Sequence, residues 1–389
     1  MKSLFLLLSF SWAIAATATA AGQGTSAGSN AGALPDRSVI RIGIVNAQSG
    51  PAAALGRSML AGARAVFDEA NRQGGVHGRK LRLLVADDGY EPEQTVEETL
   101  RLIHDENVLA LFGYVGTPTT NAVLPLLAEM GVPLVGVVSG AQSLRQPVLP
   151  HVFNVRASYE EEAEALVAQL VAEGAQRIAV VYQNDGFGLS VLSGAQRALQ
   201  KRGMPLAGRS SFQRNTLALR VSLDAMQAQQ PDAVVVVGPY RPVAAFIEQA
   251  RAGGLDARFA AVSFVGTEDL VKHLGAGAHN VLVSQVVPAP LTSALPAAVQ
   301  CRALMAALGT QQMNYVAFEG CLSAQLLLAG LRAAGPAVDR GGLVRSLSGI
   351  AQLDLGGIVL RFAADNHQGS QKVYLTRLNH GRIEPIGPD

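Results

Sequence analysis

Residues 108–130 read V-L-A-L-F-G-Y-V-G-T-P-T-T-N-A-V-L-P-L-L-A-E-M. The apolar run at 108–112 predicts a short buried strand, and the apolar stretch at 121–130 predicts a helix. Between them, F-G-Y-V-G-T-P-T-T at 112–120 is a turn of glycines and hydroxyl side chains. A strand feeding a helix through such a turn is a device for holding a small anion. Free backbone N–H groups and the helix N-terminus converge on one point, and Thr117, Thr119 and Thr120 add hydroxyls. Read locally, the same residues also make an ordinary capped loop, since Ser and Thr are common N-caps. The surrounding chain has to decide.

Working outward, the strand–helix alternation continues on both sides. Strand-like runs stand at 39–45, 81–86 and 134–138, and helical stripes at 57–73 and 91–105. After Arg156 the pattern restarts. Helices are expected at 161–173, 190–202, 219–229 and 243–252, and strands at 178–182, 205–212, 233–237 and 259–262. A run at 281–287 ends at Pro288 and Pro290. Helices at 295–308, 315–334 and 341–347 then precede strands at 358–362, 372–378 and 382–386. Strands separated by helices predict an α/β fold, with parallel sheets covered on both faces. The restart predicts two such units, and ligands on such sheets bind beyond the carboxyl ends of the strands.

Composition narrows the class. A net charge of +1 leaves no nucleic-acid footprint, and 49% hydrophobic residues supply sizeable cores. At the N-terminus, Lys2, an apolar run at 4–16 and the small-residue patterns at 16–18 and 18–20 predict a signal peptide over 1–20, cut near Ala20. That run is too short to span a bilayer, which takes roughly 20 apolar residues. No lipid-anchor Cys follows it, and no later stretch reads as a transmembrane helix. Residues 21–37, rich in Gly, Ala and Ser, read as a flexible leader, and the remainder is long enough for two domains. Cys301 and Cys321 leave two readings open: a disulfide in an oxidising compartment, or two buried thiols.

No motif makes a case for catalysis. G-T-S-A-G at 24–28 fits a nucleophile elbow and G-x-G-x-x-A at 22–27 a loose dinucleotide fingerprint, but both lie in the leader with no strand before them. There is no Walker A sequence, and the His residues are scattered without metal-ligand spacing. Asp87 and Asp88, adjacent on a strand, point to opposite faces, and are expected to be structural. No catalytic residue, metal or cofactor is expected.

The stretches V-I-R-I-G-I-V at 39–45, Q-S-G-P at 48–51 and G-A-R-A-V-F-D-E-A-N-R-Q-G-G-V-H-G-R-K-L-R-L-L-V-A-D-D at 62–88 resemble the exported ligand-binding proteins of ABC importers. The nearest group is the branched-chain amino acid (Leu/Ile/Val) binding family. Specific matches are 71–80, Gly131-Val132-Pro133 with Ser139-Gly140-Ala141, Phe153-Asn154-Val155-Arg156, and 177–188. The resemblance covers nearly all of 39–389. It implies a two-lobed type I periplasmic-binding-protein fold whose lobes close by a hinge around a ligand. Three crossings are implied near 154–157, 286–290 and 352–357. They assign 38–154 and 288–352 to the N-terminal lobe, and 155–287 and 353–389 to the C-terminal lobe.

By the same resemblance, the carboxylate of a ligand is held in the first lobe by the turn at Thr117 and by Val138, Ser139 and Gly140. The family often has Thr at the position of Gly140; here Ser139 supplies the hydroxyl. Phe187 and Tyr240 align with second-lobe aromatics, and Gln48 and Ser49 lie in a loop that often lines the cleft. One departure matters. Where amino-acid binders place an acid to pair the ligand ammonium, this chain has Ser263 and Phe264; Asp185, Glu268 and Asp269 are near but do not match by position. An unpaired buried ammonium is costly. The expected ligand is therefore a small carboxylate with an apolar or aromatic body, ahead of a branched-chain amino acid, with a larger apolar or lipid ligand as the alternative. The implied protein is a periplasmic monomer serving an ABC permease and ATPase. A ligand sensor with a separate signalling partner is the second class, and an enzyme the third.

Overall fold

The computed structural model describes residues 38–309 and 312–387. The expected signal peptide and leader lie outside the described residues. The first sheet has five parallel strands in the order β2-β1-β3-β4-β5: β1 Val39–Asn46, β2 Lys80–Asp87, β3 Ala110–Phe112, β4 Leu134–Val135 and β5 Val152–Phe153. Parallel neighbours need helical crossovers. Here α1 (Ala53–Arg72), α2 (Pro92–His104) and α3 (Thr117–Met130) supply them.

The second sheet has seven strands in the order β14-β13-β10-β9-β8-β6-β7. Five are parallel: β6 Ile178–Gln183, β7 Gly208–Phe212, β8 Ala233–Val237, β9 Arg258–Ala261 and β10 Val281–Gln285. β13 (Tyr374–Asn379) and β14 (Arg382–Ile386) add an antiparallel edge. β8, A-V-V-V-V, is buried at every residue, as a strand covered on both faces must be. Helices α4 (Tyr159–Ala172), α5 (Gly186–Gln200), α6 (Arg220–Gln229), α7 (Tyr240–Ala252) and α8 (Thr267–Leu274) flank this sheet.

The chain returns to the first lobe as α9 (Pro296–Ala307), α10 (Tyr315–Ala334) and α11 (Arg340–Ser348). α10 is long and apolar enough to cross a membrane, contrary to the sequence reading, but 78% of that window is buried inside the fold. Its partner is α1, and glycines let the two backbones touch. A Cβ on Gly62 would stand 1.9 Å from the Ala317 carbonyl oxygen, and one on Gly320 would stand 2.4 Å from that of Met59. A disulfide, Cys301–Cys321, ties α9 to α10, which decides the question the sequence left open.

The third crossing expected at 352–357 is instead a hairpin of β11 (Gln352–Asp354) and β12 (Val359–Arg361). The bend packs on α9, where Ala297 N–H donates to the Gly356 oxygen at 3.0 Å. The return to the second sheet comes later. It passes Asn154, which donates to the His367 oxygen (2.9 Å) and accepts from Gly369 N–H (2.7 Å), before β13 begins at Tyr374.

Candidate functional site

The turn after β3 starts helix α3 four residues earlier than the apolar pattern suggests, at Thr117. Gly116 is its N-cap at φ +104°, and a Cβ there would lie 2.2 Å from the Tyr90 ring. The three threonines then separate. Thr119 donates to the Val115 oxygen at 2.7 Å, and Thr120 to that of Gly116 at 2.7 Å. Only Thr117 turns elsewhere: its hydroxyl shares a 2.7 Å hydrogen bond with Ser139 and both residues are buried. Ser139 also accepts from Ala141 N–H at 3.2 Å.

Gly140 follows, and its oxygen accepts from Tyr159 N–H at 2.7 Å. A Cβ at 140 would meet that nitrogen at 2.5 Å, so the Thr common in the family has no room here. Val138 pairs by backbone with the turn itself: it accepts from Gly116 N–H (3.1 Å) and donates to the Tyr114 oxygen (2.8 Å). Tyr159, the first residue of α4, brings a third hydroxyl. That hydroxyl is buried without a hydrogen-bond partner. Burial drives its pKa upward, against the smaller opposing effect of the nearby Arg156 charge.

Aromatic rings continue from Tyr159. Its ring lies 5.1 Å from Phe187, Phe187 lies 4.6 Å from Phe264, and Phe264 lies 5.9 Å from Tyr90. All four are buried, and they come from different elements on both sides of the cleft. Phe187 is placed by the cap of α5, where Asp185 accepts from its N–H at 2.9 Å. Tyr90 stands at φ +67°, a left-handed conformation uncommon for an aromatic residue. Asp88 fixes it, accepting from Tyr90 N–H at 2.9 Å and from the Thr95 hydroxyl at 3.0 Å. Burial raises the Asp88 pKa to about 6. Its neighbour Asp87 receives the N–H groups of Gln48 and Ser49, so the acidic pair is structural, with each carboxylate shaping a different loop.

Other expected residues fall outside this cluster. Gln48 is half-buried and its amide bonds Asn46, while Ser49 is exposed. The Tyr240 hydroxyl accepts from Ala54 N–H at 3.3 Å, at the start of α1, and its ring packs on His273 at 5.0 Å. Ser263 turns away from the rings. Its N–H and hydroxyl both donate to Glu162, at 2.8 and 3.0 Å, and Arg156 donates to its hydroxyl. Arg156, 1% exposed, bonds Glu162 at 3.2 Å and stands 3.6 Å from Glu319, so a buried charge cluster sits where the first crossing begins.

Residues that the sequence did not single out close the cleft. Arg214 pairs with Glu91 at 2.7 Å and lies 6.0 Å from the Tyr90 ring centre. Asn215 donates to Glu91 at 2.8 Å, and Tyr315 N–H, at the start of α10, donates to Glu268 at 3.1 Å. Gln183 donates to the Tyr90 hydroxyl at 3.2 Å and to Asp185 at 2.6 Å. Tyr90 and Tyr159 had local signals, in D-D-G-Y at 87–90 and in the Ser158 capping box, but nothing in either segment says what the rings face.

A family model described as periplasmic binding protein matches residues 39–382. Leu/Ile/Val-binding protein homolog 7 of Brucella abortus (strain 2308) is 27% identical over 233 residues, which is 58% of each chain, so the match spans under three fifths of that relative. A possible leucine/isoleucine/valine-binding protein from Rhodopirellula baltica SH 1 superimposes with a TM-score of 0.87 at 32% identity, covering 92% of this chain and 98% of that one. A substrate-binding periplasmic protein from Ralstonia solanacearum gives 0.84 at 30% identity, covering 89% and 100%. The matched span takes in the first sheet, the second sheet up to its edge strand β14, and every residue of the ring cluster, and on that ground the chain belongs to the periplasmic binding protein family.

Proposed function

We propose that this protein captures a small carboxylate with an apolar or aromatic body between its lobes, and presents it, closed, to the permease and ATPase of an ABC importer in the periplasm. No bond of the ligand is made or broken. The observation that carries the reading is the Thr117–Ser139 hydroxyl pair at the N-terminus of α3, with Tyr159 joined to the next residue, Gly140, through its N–H, beside a run of buried rings. Hydroxyls and a helix N-terminus suit a carboxylate. Rings suit an apolar body, at roughly 25 cal/mol for each Å² taken from water. Phe187, Phe264 and Tyr90 are assigned to that body; Val138 and Gly140 shape the turn. Gln48, Ser49 and Tyr240 are assigned to the cleft rim, and Ser263 to the hinge.

The lobes are taken to exchange at 154–157, at 286–290 and along 362–373. Export through a cleaved signal peptide agrees with the Cys301–Cys321 disulfide, since such bonds persist in oxidising compartments. A branched-chain amino acid is the second reading. Asp185 favours it, because its carboxylate lies beside Gln183, itself bonded to Tyr90 at the end of the ring run.

Calorimetry with aromatic acids, branched acids and leucine tests both readings. Thr117→Ala should weaken acid binding about tenfold, the size expected for a buried hydrogen bond to a charged group, while the melting temperature of the free protein holds. Unchanged affinity would remove the turn from the site. Loss of leucine binding in Asp185→Asn, with its deaminated analogue still bound, would establish the second reading.

A further inference from the structure

Gln183 ends β6 and is fully buried. Its amide nitrogen donates to Asp185 at 2.6 Å and to the Tyr90 hydroxyl at 3.2 Å, across the cleft. Asp185 is in turn held by the α5 cap, accepting from the N–H groups of Phe187 (2.9 Å) and Gly188 (3.3 Å). These bonds fix which way the amide faces, because turning it over would set its oxygen against a carboxylate. The oxygen is carried on the same carbon as that nitrogen, and it is buried with no hydrogen-bond partner. A buried acceptor left unmet carries the full cost of its lost hydration, and native proteins hold few of them. Around the rings four polar atoms are in that state, the Tyr159 hydroxyl, this oxygen, and the Nε atoms of Arg156 and Arg214, whose guanidiniums stand over the Tyr159 and Tyr90 rings; of the four, this oxygen is the one that can only accept. The Tyr159 hydroxyl is a donor, and suits a carboxylate. The Gln183 oxygen accepts only, and no part of a carboxylate can satisfy it.

We infer that Gln183 is a specificity-determining residue, and that the ligand carries, besides its carboxylate, a hydrogen-bond donor (a hydroxyl or an amine) that meets the Gln183 side-chain oxygen. This rests on the reading above that a small acid fills the cleft. It divides acids of one shape into two groups, those with a donor away from the carboxylate and those without. A site built around such an acceptor rejects the bare analogue strongly, because binding it seals the acceptor away from water.

Matched probes separate the alternatives: benzoate against 4-hydroxybenzoate, and 4-methylpentanoate against leucine, each titrated calorimetrically into the full-length mature protein. The donor-bearing member of at least one pair should bind at least about tenfold tighter. Preference in the first pair identifies a hydroxyl, and in the second an amine. Gln183→Met, which keeps the length and removes the acceptor, should bring the preferred pair to within about twofold. Ratios near one for both pairs in the unaltered protein overturn the inference, as does a preference that survives unchanged in Gln183→Met. The first of these results does not depend on the variant folding. Methyl esters of the same acids serve as the control on the reading beneath it. Esters that bind as tightly as acids, with the donor preference intact, overturn the carboxylate and leave Gln183 standing. Binding by none of the acids or esters overturns both.

Discussion

Two buried clusters lie close together in this molecule and are built in opposite ways. At the first crossing, Arg156, Glu162 and Glu319 are charged and answer one another; Ser263 and Ser284 complete the set by donating to Glu162. Burial presses the Arg156 guanidinium toward its neutral form, but the carboxylates of Glu319 and Glu162 more than offset this. Burial and the nearby Arg156 lower the Arg145 pKa to about 10, so it too stays charged at neutral pH. In the cleft, the uncharged polar groups beside the rings are hydroxyls and one amide, and two of their atoms, the Tyr159 hydroxyl and the Gln183 oxygen, are unmet. The difference teaches where partners come from. The crossing is held by ion pairs within the chain, although the Nε atoms of Arg145 and Arg156 are unmet there, whereas on the proposed reading the unmet hydroxyl and amide oxygen of the cleft are answered by a ligand.

The comparison breaks first at the crossing. Glu162→Ala would strip Arg156 of one carboxylate and leave Ser263 and Ser284 without their acceptor. Removing one partner of a buried pair costs about 3–5 kcal/mol, and urea unfolding should show a loss of that size. A loss under about 1 kcal/mol would mean the cluster is no more integral than a surface pair. Next in size is the Cys301–Cys321 bridge. It joins residues 20 apart, and opening a loop of that length lowers stability by about 3 kcal/mol. The Cys301→Ser, Cys321→Ser double variant should unfold earlier yet bind ligand as before, because α9 and α10 are linked away from the rings. A fall in affinity would tie the bridge to the cleft.

The smallest effect is a pH dependence at the cleft's edge. Burial raises the Glu268 pKa to about 7, although its bond from Tyr315 N–H opposes the rise. Asp269 also pushes it up and Lys272 pulls it down. A carboxyl with a raised pKa in the folded state binds its proton more tightly than in the unfolded chain. The stability this contributes is full below the ordinary Glu value of 4.5 and is lost as pH rises through about 7. Asp88 acts in the same sense between 3.8 and about 6. Melting temperatures should therefore fall less steeply between pH 5 and 7 in Glu268→Gln than in the unaltered protein, with the two profiles parallel above about pH 7. An identical profile would show that Glu268 titrates normally and that the contact from Tyr315 does not bury it.

The sequence by itself determined the alternation of strands and helices, the two α/β units and the family, because periodicity and turn chemistry are local properties of the chain. It also determined that the turn at 112–120 starts a helix and carries hydroxyls. What it could not assign was which of three threonines stays free. Thr119 and Thr120 bond backbone within their own turn, and only the meeting of two distant loops gives Thr117 its partner Ser139. Gln48, Ser49, Tyr240 and Ser263 sit at strand or helix ends, as the alignment implied, yet turn to Asn46, solvent, another helix or the charge cluster. Tyr90, Tyr159 and Gln183 come from 87–90, 158–162 and the end of β6, segments with no common motif. Only tertiary structure brings them together: burial and the direction of a side chain depend on what packs opposite, and that is written in no single stretch of the chain.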